Sequence, residues 1–194
     1  VSGFTTNPTL MRKANVHDYK SWAKIVLDHF PDKPVSFEVI ADDFTEMERQ
    51  ARLLSSWGTN VWVKIPIINT QGTSSLDLIK RLSDVNLNIT AVMDFGQWGQ
   101  LEEVLKPTDV VSFFCGRMMD TQISPFSFGP KKAPYRRLWA STREVFNIVQ
   151  AEERQYDIIT MTSDLIAKLD MKGKDLTEYS KETVQMFYND AQKA

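Results

Sequence analysis

A glutamate and a lysine lie in consecutive runs in which apolar and polar residues alternate. Glu38 belongs to the run 35–39 and Lys64 to the run 61–65, each with apolar residues at the odd positions. If these runs are strands of one sheet, both side chains lie on its polar face. A lysine that loses hydration there favours its neutral form, which can attack a ketone to give a Schiff base, an electron sink for breaking a neighbouring C–C bond. Glu38 could move protons directly or through a water.

Each of these residues also has a purely structural interpretation. Lys64 could be a solvated lysine on an exposed strand face, and Glu38 could form a structural ion pair with it. Asn88 and Thr90, on the polar side of the run 87–91, are suited to holding a hydroxylated ligand or a catalytic water. The alternative for both is hydrogen bonding to other side chains of the same sheet.

Two arginines and a serine, Arg117, Ser141 and Arg143, lie just past the ends of two later strand-like runs. Ser141 followed by Glu144 is typical of a helix N-terminus, where free N–H groups bind anions. Together with two guanidinium groups, this pattern predicts a phosphate site. The alternative is that these are ordinary surface arginines.

The elements that must position these residues alternate along the chain. β-Branched and aromatic residues mark seven strand-like runs, at 1–6, 34–40, 60–67, 86–93, 109–115, 137–140 and 156–160. Apolar residues spaced at three and four predict helices over 17–30, 43–57, 75–82, 99–105 and 142–154. Twenty-six residues separate Val35 from Val61 and Val61 from Leu87, which is the length of one strand plus one helix. Parallel strands with helical crossovers are therefore expected.

This pattern fits either a (β/α)8 barrel of the TIM type or a doubly wound open sheet. Strands of an open parallel sheet are apolar on both faces, whereas here one face carries polar groups that would converge inside a closed sheet. We therefore expect a barrel, in a single domain over 1–194. Seven of its eight strands are visible, and 118–135, with three prolines, is expected to be a loop that shortens the sixth helical region. A helix with an apolar stripe is expected over 176–191.

Composition limits the classes of partner. The chain of 194 residues has a net charge of −2, which leaves no basic field for nucleic acid or anionic lipid, and no apolar run is long enough to span a membrane. The single cysteine, Cys115, cannot form an intramolecular disulfide, so we expect a reducing, cytoplasmic compartment. His17 and His29 lack partners at metal-ligand spacing, so no metal site is expected.

Several short motifs resemble those of the transaldolase family, which includes transaldolases and fructose-6-phosphate aldolases. They are Gly-Phe-Thr-Thr-Asn-Pro at 3–8, Ser-Phe-Glu-Val at 36–39, Val-Lys-Ile-Pro at 63–66, Leu-Asn-Ile-Thr at 87–90, Ser-Phe-Phe-Cys-Gly-Arg at 112–117 and Ala-Ser-Thr-Arg at 140–143. The motifs follow the order of the family over nearly the whole chain. The Thr-Thr-Asn-Pro signature combined with the lysine of Lys-Ile-Pro is specific to this family.

The resemblance implies a (β/α)8 barrel, a reaction and a site. The reaction is transfer of a dihydroxyacetone unit from fructose 6-phosphate or sedoheptulose 7-phosphate to an aldose phosphate, in the pentose phosphate pathway and without a cofactor. Lys64 would form the Schiff base, Glu38 would act as acid and base through a water, and Thr90 would help to hold that water. The residues implied for the sugar pocket are Thr5, Asn7, Asn88, Ser112 and Phe114, and those implied for phosphate are Arg117, Ser141 and Arg143.

The chain also departs from the family pattern at its beginning. Family members start with a strand whose aspartate assists C–C cleavage, whereas this sequence starts at Val1 with what resembles the second strand. Either segments of a longer protein are missing from the sequence, which we favour, or the barrel is incomplete. A catalytically impaired barrel that binds a sugar phosphate is therefore an alternative function.

The resemblance also bears on the type of reaction and on assembly. Fructose-6-phosphate aldolases carry a tyrosine where this chain has Phe114, whose ring has no hydroxyl to protonate an enamine. This favours a transferase over the alternative, an aldolase-like lyase. In small family members the C-terminal helix packs on a neighbouring subunit, so a homo-oligomer is expected; docking of that helix on its own barrel is an equally good alternative.

Overall fold

The computed structural model describes residues 1–125 and 133–193. The chain divides into two compact units, Val1–Met161 and Thr162–Ala194. Among the described residues, every strand belongs to the first unit. Of the loop predicted over 118–135, the part from 126 to 132 lies outside the described residues.

One parallel sheet forms the centre of the first unit, and each of its strands overlaps a predicted run. The strands are β1 Phe4–Thr5, β2 Val35–Glu38, β3 Val61–Pro66, β4 Leu87–Val92, β5 Val110–Phe113, β6 Arg136–Trp139 and β7 Ile158–Ile159. Strands that are consecutive in sequence are neighbours in the sheet. Val35 on β2 pairs with Val61 on β3. The 26-residue spacing found in the sequence therefore leads from one strand, through a helix, to the neighbouring parallel strand.

The sheet curls until its two edge strands meet. The Thr5 hydroxyl on β1 lies 3.0 Å from the hydroxyl of Thr160, the residue after β7. In a flat sheet these edges would lie roughly 29 Å apart, at about 4.8 Å for each strand step. The hydrogen bond therefore requires strands arranged around an axis, as in a barrel. The fold is a partial (β/α)8 barrel of the TIM type, which confirms the predicted fold class.

Seven helices are described in the first unit. They are α1 Pro8–Lys13, α2 Tyr19–His29, α3 Phe44–Ser55, α4 Leu76–Arg81, α5 Phe95–Gly99, α6 Cys115–Asp120 and α7 Asn147–Glu153. α3 begins where Asp43 predicts it, because this side chain accepts the free N–H groups of Thr45 and Glu46. α6 is the helix in the sixth helical region of the barrel, and it is only six residues long.

The helix predicted over 99–105 was misplaced. α5 ends at Gly99, and residues 101–104 form turns. Asp94 and Gln97 form a reciprocal capping box that starts the helix earlier than the apolar spacing suggested. A strong local cap therefore sets the start of this helix, and the residues that follow form hydrogen-bonded turns instead of a continuous helix.

The helix predicted over 142–154 begins only at Asn147, so Ser141 does not open it. Ser141 has a left-handed backbone with φ of 61°, whereas an N-cap residue is extended. The free N–H groups of Arg143 and Glu144 are instead bound by the Asn147 side chain, at 2.9 and 3.2 Å. The serine hydroxyl was the wrong signal for this helix start.

Apolar side chains form separate clusters on the two faces of the sheet. The larger cluster, which includes Phe37, Leu54 and Ile65, joins the outer face of the strands to the helices. The smaller cluster joins Val110, Leu138, Ala140, Trp62, Phe114 and Ile158. These residues alternate with the outward ones, so they share the inner face with the polar residues of the same strands.

The second unit is helical in its described part. It contains α8 Ser163–Ala167, a 3₁₀ helix Lys168–Met171 and α9 Leu176–Ala191. The Asp175 side chain caps α9 by accepting the N–H groups of Thr177 and Glu178. No residue of α9 is buried. No helix within the described parts of either unit is both long enough and apolar enough to cross a membrane.

Candidate active site

Lys64 and Glu38 lie opposite each other on β3 and β2 and form an ion pair inside the barrel. The Lys64 Nζ donates to Glu38 Oε2 at 2.7 Å and to the Thr6 carbonyl at 2.8 Å. The two side chains are only 8% and 18% exposed, respectively. A buried ammonium is tolerated when its charge is matched and its N–H groups have acceptors, and here the charge and two of the three N–H groups are matched. The alternation of polar and apolar residues predicted this shared face.

This pair has the geometry required for proton transfer to or from a nucleophilic amine. An amine attacks a carbonyl only in its neutral form, so an ammonium must first lose a proton. Glu38 Oε2 is within direct hydrogen-bond distance of that proton. The same geometry also fits the structural alternative, a buried ion pair. A chemical experiment is required to distinguish the two interpretations.

Glu38 is held in place through its main chain by Tyr19 on α2. The Tyr19 hydroxyl accepts the Glu38 N–H at 2.9 Å and donates to the Glu38 carbonyl at 3.2 Å. Burial raises the pKa of Tyr19 to about 12, so its hydroxyl keeps the proton it donates. Sequence reasoning missed Tyr19, because it comes from a different element and touches the main chain of Glu38.

Asn88 and Ser112 are brought together inside the barrel by a buried hydrogen-bond network. The Asn88 amide donates to Ser36 Oγ at 3.1 Å, and its carbonyl oxygen accepts the Ser112 hydroxyl at 2.7 Å. These residues lie on β4, β2 and β5, so the network crosses the interior. Ser36 was not predicted as a site residue, although it has the same inward alternation as Glu38.

Thr90 follows Asn88 along the inner face of β4. Its Oγ1 is buried and has no hydrogen-bond partner among the described residues. The register of β4 against β5 shifts between Ile89 and Val92, and Ala91 has a left-handed backbone with φ of 63°. This irregularity is a β-bulge at the carboxyl end of the strand, a place where bulges redirect side chains.

Thr5 and Asn7, both implied for the sugar pocket, have hydrogen-bond partners within the protein. Thr5 binds Thr160 across the closing edge of the barrel. Asn7 is the N-cap of α1, and its Oδ1 accepts the Leu10 N–H at 2.9 Å. The structure therefore gives both residues structural contacts at this edge.

Phe114 follows β5 and packs in the inner apolar cluster. The Arg117 guanidinium lies over its ring, 5.8 Å from the centroid. The ring of Phe114 thus contacts both the inner apolar cluster and Arg117, one of the predicted phosphate-binding residues.

The predicted phosphate residues Arg117, Ser141 and Arg143 are brought together by a close backbone contact. A Cβ added to Gly116 would lie 1.7 Å from the Ser141 carbonyl oxygen and 3.2 Å from Arg143 Cγ. Only glycine allows α6 to approach this loop so closely. Gly116 therefore fixes the spacing of its neighbour Arg117 relative to Ser141 and Arg143.

Arg143 already has an acidic partner. Its guanidinium forms an ion pair with Asp120 at the end of α6, and both side chains are about half exposed, at 49% and 53%. Sequence reasoning missed Asp120. For Arg117, no carboxylate partner is present within residues 1–125 and 133–193. The part of the chain that the structure describes contains no cluster of three or more His, Cys, Asp or Glu residues suited to a metal ion.

Comparison with known proteins places these residues in a family context. Residues 1–126 match the family model described as transaldolase/fructose-6-phosphate aldolase. A protein of Dehalococcoides mccartyi is 38% identical over 120 residues, which is 62% of this chain but 54% of that protein. The chain thus spans only about half of this relative.

Two other relatives align over more of their length. A protein of Methanococcus maripaludis is 30% identical over 177 residues, covering 87% of this chain and 80% of that protein. A protein of Roseiflexus castenholzii is 29% identical over 168 residues, covering 82% of this chain and 75% of that protein. All three relatives carry the name "Probable transaldolase".

Proposed function

This chain belongs to the transaldolase/fructose-6-phosphate aldolase family, and we propose that it is a transaldolase acting through a Schiff base on Lys64. It would transfer a dihydroxyacetone unit from fructose 6-phosphate or sedoheptulose 7-phosphate to an aldose phosphate. The observation that carries this proposal is the buried Lys64 amine, 2.7 Å from Glu38 Oε2 on the inner face of the barrel. A buried amine beside a proton acceptor is what imine formation requires.

In the proposed first stage, Lys64 transfers a proton to Glu38 and its neutral amine attacks the C2 carbonyl of the ketose. The carbinolamine then loses its C2 hydroxyl as water, with Glu38 returning a proton, which leaves an iminium. A water held by Thr90 would relay these protons. The Thr90 Oγ1 is buried and has no hydrogen-bond partner among the described residues. This supports the role, because a buried hydroxyl needs a partner and a water molecule can supply it.

In the second stage, the C3–C4 bond breaks while the C4 hydroxyl loses its proton to Glu38 through the water. The electron pair of the broken bond moves to the iminium, which becomes an enamine, and an aldose phosphate leaves. The enamine then adds to the aldehyde of the acceptor aldose phosphate, whose oxygen takes the proton back from Glu38, and water hydrolyses the new iminium to release the ketose phosphate and Lys64. Asn88 and Ser112, whose polar groups face the interior, would bind sugar hydroxyls.

We assign the phosphate of the sugar to Arg117, Ser141 and Arg143. Arg143 lies beside the Gly116–Ser141 contact and Arg117 directly follows Gly116, so both positive charges belong to this part of the loop side. A guanidinium group can bind two phosphate oxygens at once. Arg143 would exchange Asp120 for the phosphate when substrate binds. Breaking the Arg143–Asp120 pair requires little free energy, because ion pairs between half-exposed side chains contribute little to stability.

Phe114 favours transfer over simple cleavage. Its phenyl ring packs with the inner apolar cluster and offers no hydroxyl to protonate the enamine. The enamine would therefore remain on Lys64 until an aldehyde arrives, as a transferase requires. The family description also names fructose-6-phosphate aldolase, and an aldolase would release the unit as free dihydroxyacetone.

The test is incubation of the protein with fructose 6-phosphate, with and without erythrose 4-phosphate. We expect glyceraldehyde 3-phosphate to accumulate beyond one equivalent per protein only when the acceptor is present, and Phe114→Tyr to permit continued cleavage without it. Equal rates with and without acceptor, together with free dihydroxyacetone, would identify an aldolase. Stabilisation by fructose 6-phosphate without turnover would identify a sugar-phosphate-binding barrel.

We also propose that the protein is a homo-oligomer that uses α9. The apolar side chains of this helix are exposed, at 43% for Tyr179, 63% for Val184, 61% for Phe187 and 62% for Tyr188. Phe187 and Val184 lie one turn apart on the helix, so they form part of a stripe suited to docking. Light scattering at micromolar concentration should give the mass of an oligomer, and a monomer would refute the proposal.

We place the protein in the cytoplasm. Its cysteine is a buried free thiol, and burial raises the pKa of Cys115 to about 12, which keeps the thiol protonated and unreactive. Metabolism of sugar phosphates by such a protein fits a reducing compartment.

A further inference from the structure

The ladder between β1 and β2 stops abruptly beside Glu38. The Phe4 N–H donates to the Pro34 carbonyl at 2.9 Å, and the Thr6 N–H donates to the Ser36 carbonyl at 3.0 Å. The next donor in this parallel register would be residue 8, which would face the Glu38 carbonyl. Residue 8 is a proline and has no N–H. The Glu38 carbonyl therefore cannot receive a hydrogen bond from this strand.

The Glu38 N–H also lacks the hydrogen bond that the β1–β2 ladder would give it, and donates to the Tyr19 hydroxyl instead. In the same register it would donate to the Thr6 carbonyl. That carbonyl instead accepts the Lys64 amino group at 2.8 Å. Both main-chain groups of Glu38 on this side thus need a partner from outside the sheet, because unpaired backbone groups in the interior are costly.

The Tyr19 hydroxyl supplies both partners. It accepts the Glu38 N–H at 2.9 Å and donates to the Glu38 carbonyl at 3.2 Å. Its ring is fixed by edge-on contacts with Phe37 and Trp57, with centroids 6.0 and 5.7 Å away. The hydroxyl is therefore held rigidly at the position where strand β1 would otherwise continue.

We propose that Tyr19 is a positioning residue that replaces the end of β1 beside Glu38 and thereby leaves the Thr6 carbonyl free to hold the Lys64 amino group. The importance of this device for catalysis rests on the proposed Schiff-base function. The hydrogen-bond arrangement itself does not rest on that function, since it concerns only which acceptors bind the Glu38 N–H and the Lys64 amine.

Removal of the Tyr19 hydroxyl should change the hydrogen bonds of Lys64. In Tyr19→Phe the aromatic packing is kept, but the Glu38 N–H must turn to the Thr6 carbonyl. The Thr6 carbonyl oxygen is then shared between the Glu38 N–H and the Lys64 amino group, so it holds the amino group less tightly. A less restrained amino group should react faster with a small electrophile.

The experiment compares carbamylation of Lys64 by cyanate at one mildly alkaline pH, measured by peptide mass mapping. The control is Tyr135→Phe, which also removes a buried tyrosine hydroxyl, one that accepts the Trp98 indole N–H at 2.6 Å. We expect Lys64 to react about fivefold faster in Tyr19→Phe than in the wild type, and within about twofold of wild type in Tyr135→Phe. Equal Lys64 rates in the two variants would overturn the proposal, because a general loss of stability would affect both.

A second measurement uses the unaltered protein and does not depend on whether a variant folds. Scalar couplings across N–H···O=C hydrogen bonds, measured by NMR, should join Thr6 nitrogen to the Ser36 carbonyl carbon. No coupling should join Glu38 nitrogen to the Thr6 carbonyl carbon, and its detection would overturn the proposal. Neither experiment requires turnover, so a failure of the Schiff-base function, seen as absence of any reducible adduct, is distinguishable from a failure of this inference.

Discussion

The two sides of the candidate site are built differently. The strand side, consisting of Lys64, Glu38 and the residues hydrogen-bonded around them, lies in the interior, and its central pair is 8% and 18% exposed. The loop side, consisting of Arg117, Ser141 and Arg143 with their contacts Gly116 and Asp120, lies after β5 and β6 and is half exposed at the Arg143–Asp120 pair.

In the proposed function, the strand side carries out the chemical step and the loop side binds the substrate. On the strand side, charges are buried and matched, so removing one group leaves another uncompensated at large cost. On the loop side, charges are screened by water, and one backbone contact sets the geometry. Substitutions on the strand side should therefore change the rate of the chemical step, and those on the loop side should change binding of the phosphorylated substrate.

The largest effect is expected from Lys64→Arg on the strand side. The guanidinium keeps a positive charge beside Glu38 but stays protonated, so it cannot act as an amine nucleophile. We expect kcat for transfer to fall by at least about a thousandfold. Circular dichroism verifies the fold, and Lys80→Arg, at a half-exposed lysine paired with Asp77, serves as the matched control. Activity of Lys64→Arg within tenfold of wild type, roughly 1.4 kcal/mol, would remove Lys64 from the mechanism.

An intermediate effect is expected from Gly116→Ala on the loop side. The new methyl group would overlap the Ser141 carbonyl oxygen, so the loop must shift, at a cost of about 1–3 kcal/mol in the free energy of unfolding. KM for the phosphorylated ketose should rise more than kcat falls. Gly99→Ala is the control, because a Cβ there meets no atom within 4 Å. Equal thermal stability of the two variants would contradict the close contact.

The smallest effect is expected from Asp120→Asn. This change releases Arg143 from its ion pair and removes a negative charge near the proposed phosphate position. KM for fructose 6-phosphate should decrease by about two- to fivefold at low salt, with less change at high salt. Asp77→Asn, which breaks an exposed pair with Lys80 elsewhere, should leave KM unchanged. An increase in KM for Asp120→Asn would mean that Arg143 does not bind the phosphate.

The strand side of the candidate site could be predicted from the sequence to a greater extent than the loop side. Inward positions such as Lys64 and Asn88 follow from strand alternation, a local rule that a buried sheet enforces. The structure of the loop at Ser141 could not be predicted, because this residue has a left-handed backbone and lies in close contact with Gly116, far away in sequence. Tyr19 was missed for a similar reason, since its role depends on where Pro8 ends the neighbouring ladder.

The most direct test of the proposed function is borohydride reduction in the presence of fructose 6-phosphate, followed by peptide mass mapping. We predict a reduced three-carbon dihydroxyacetone adduct, or the reduced adduct of the whole ketose, on the peptide that contains Lys64, and none without the sugar. An unmodified Lys64 peptide, or an adduct on another lysine, would contradict the assignment of Lys64 as the nucleophile.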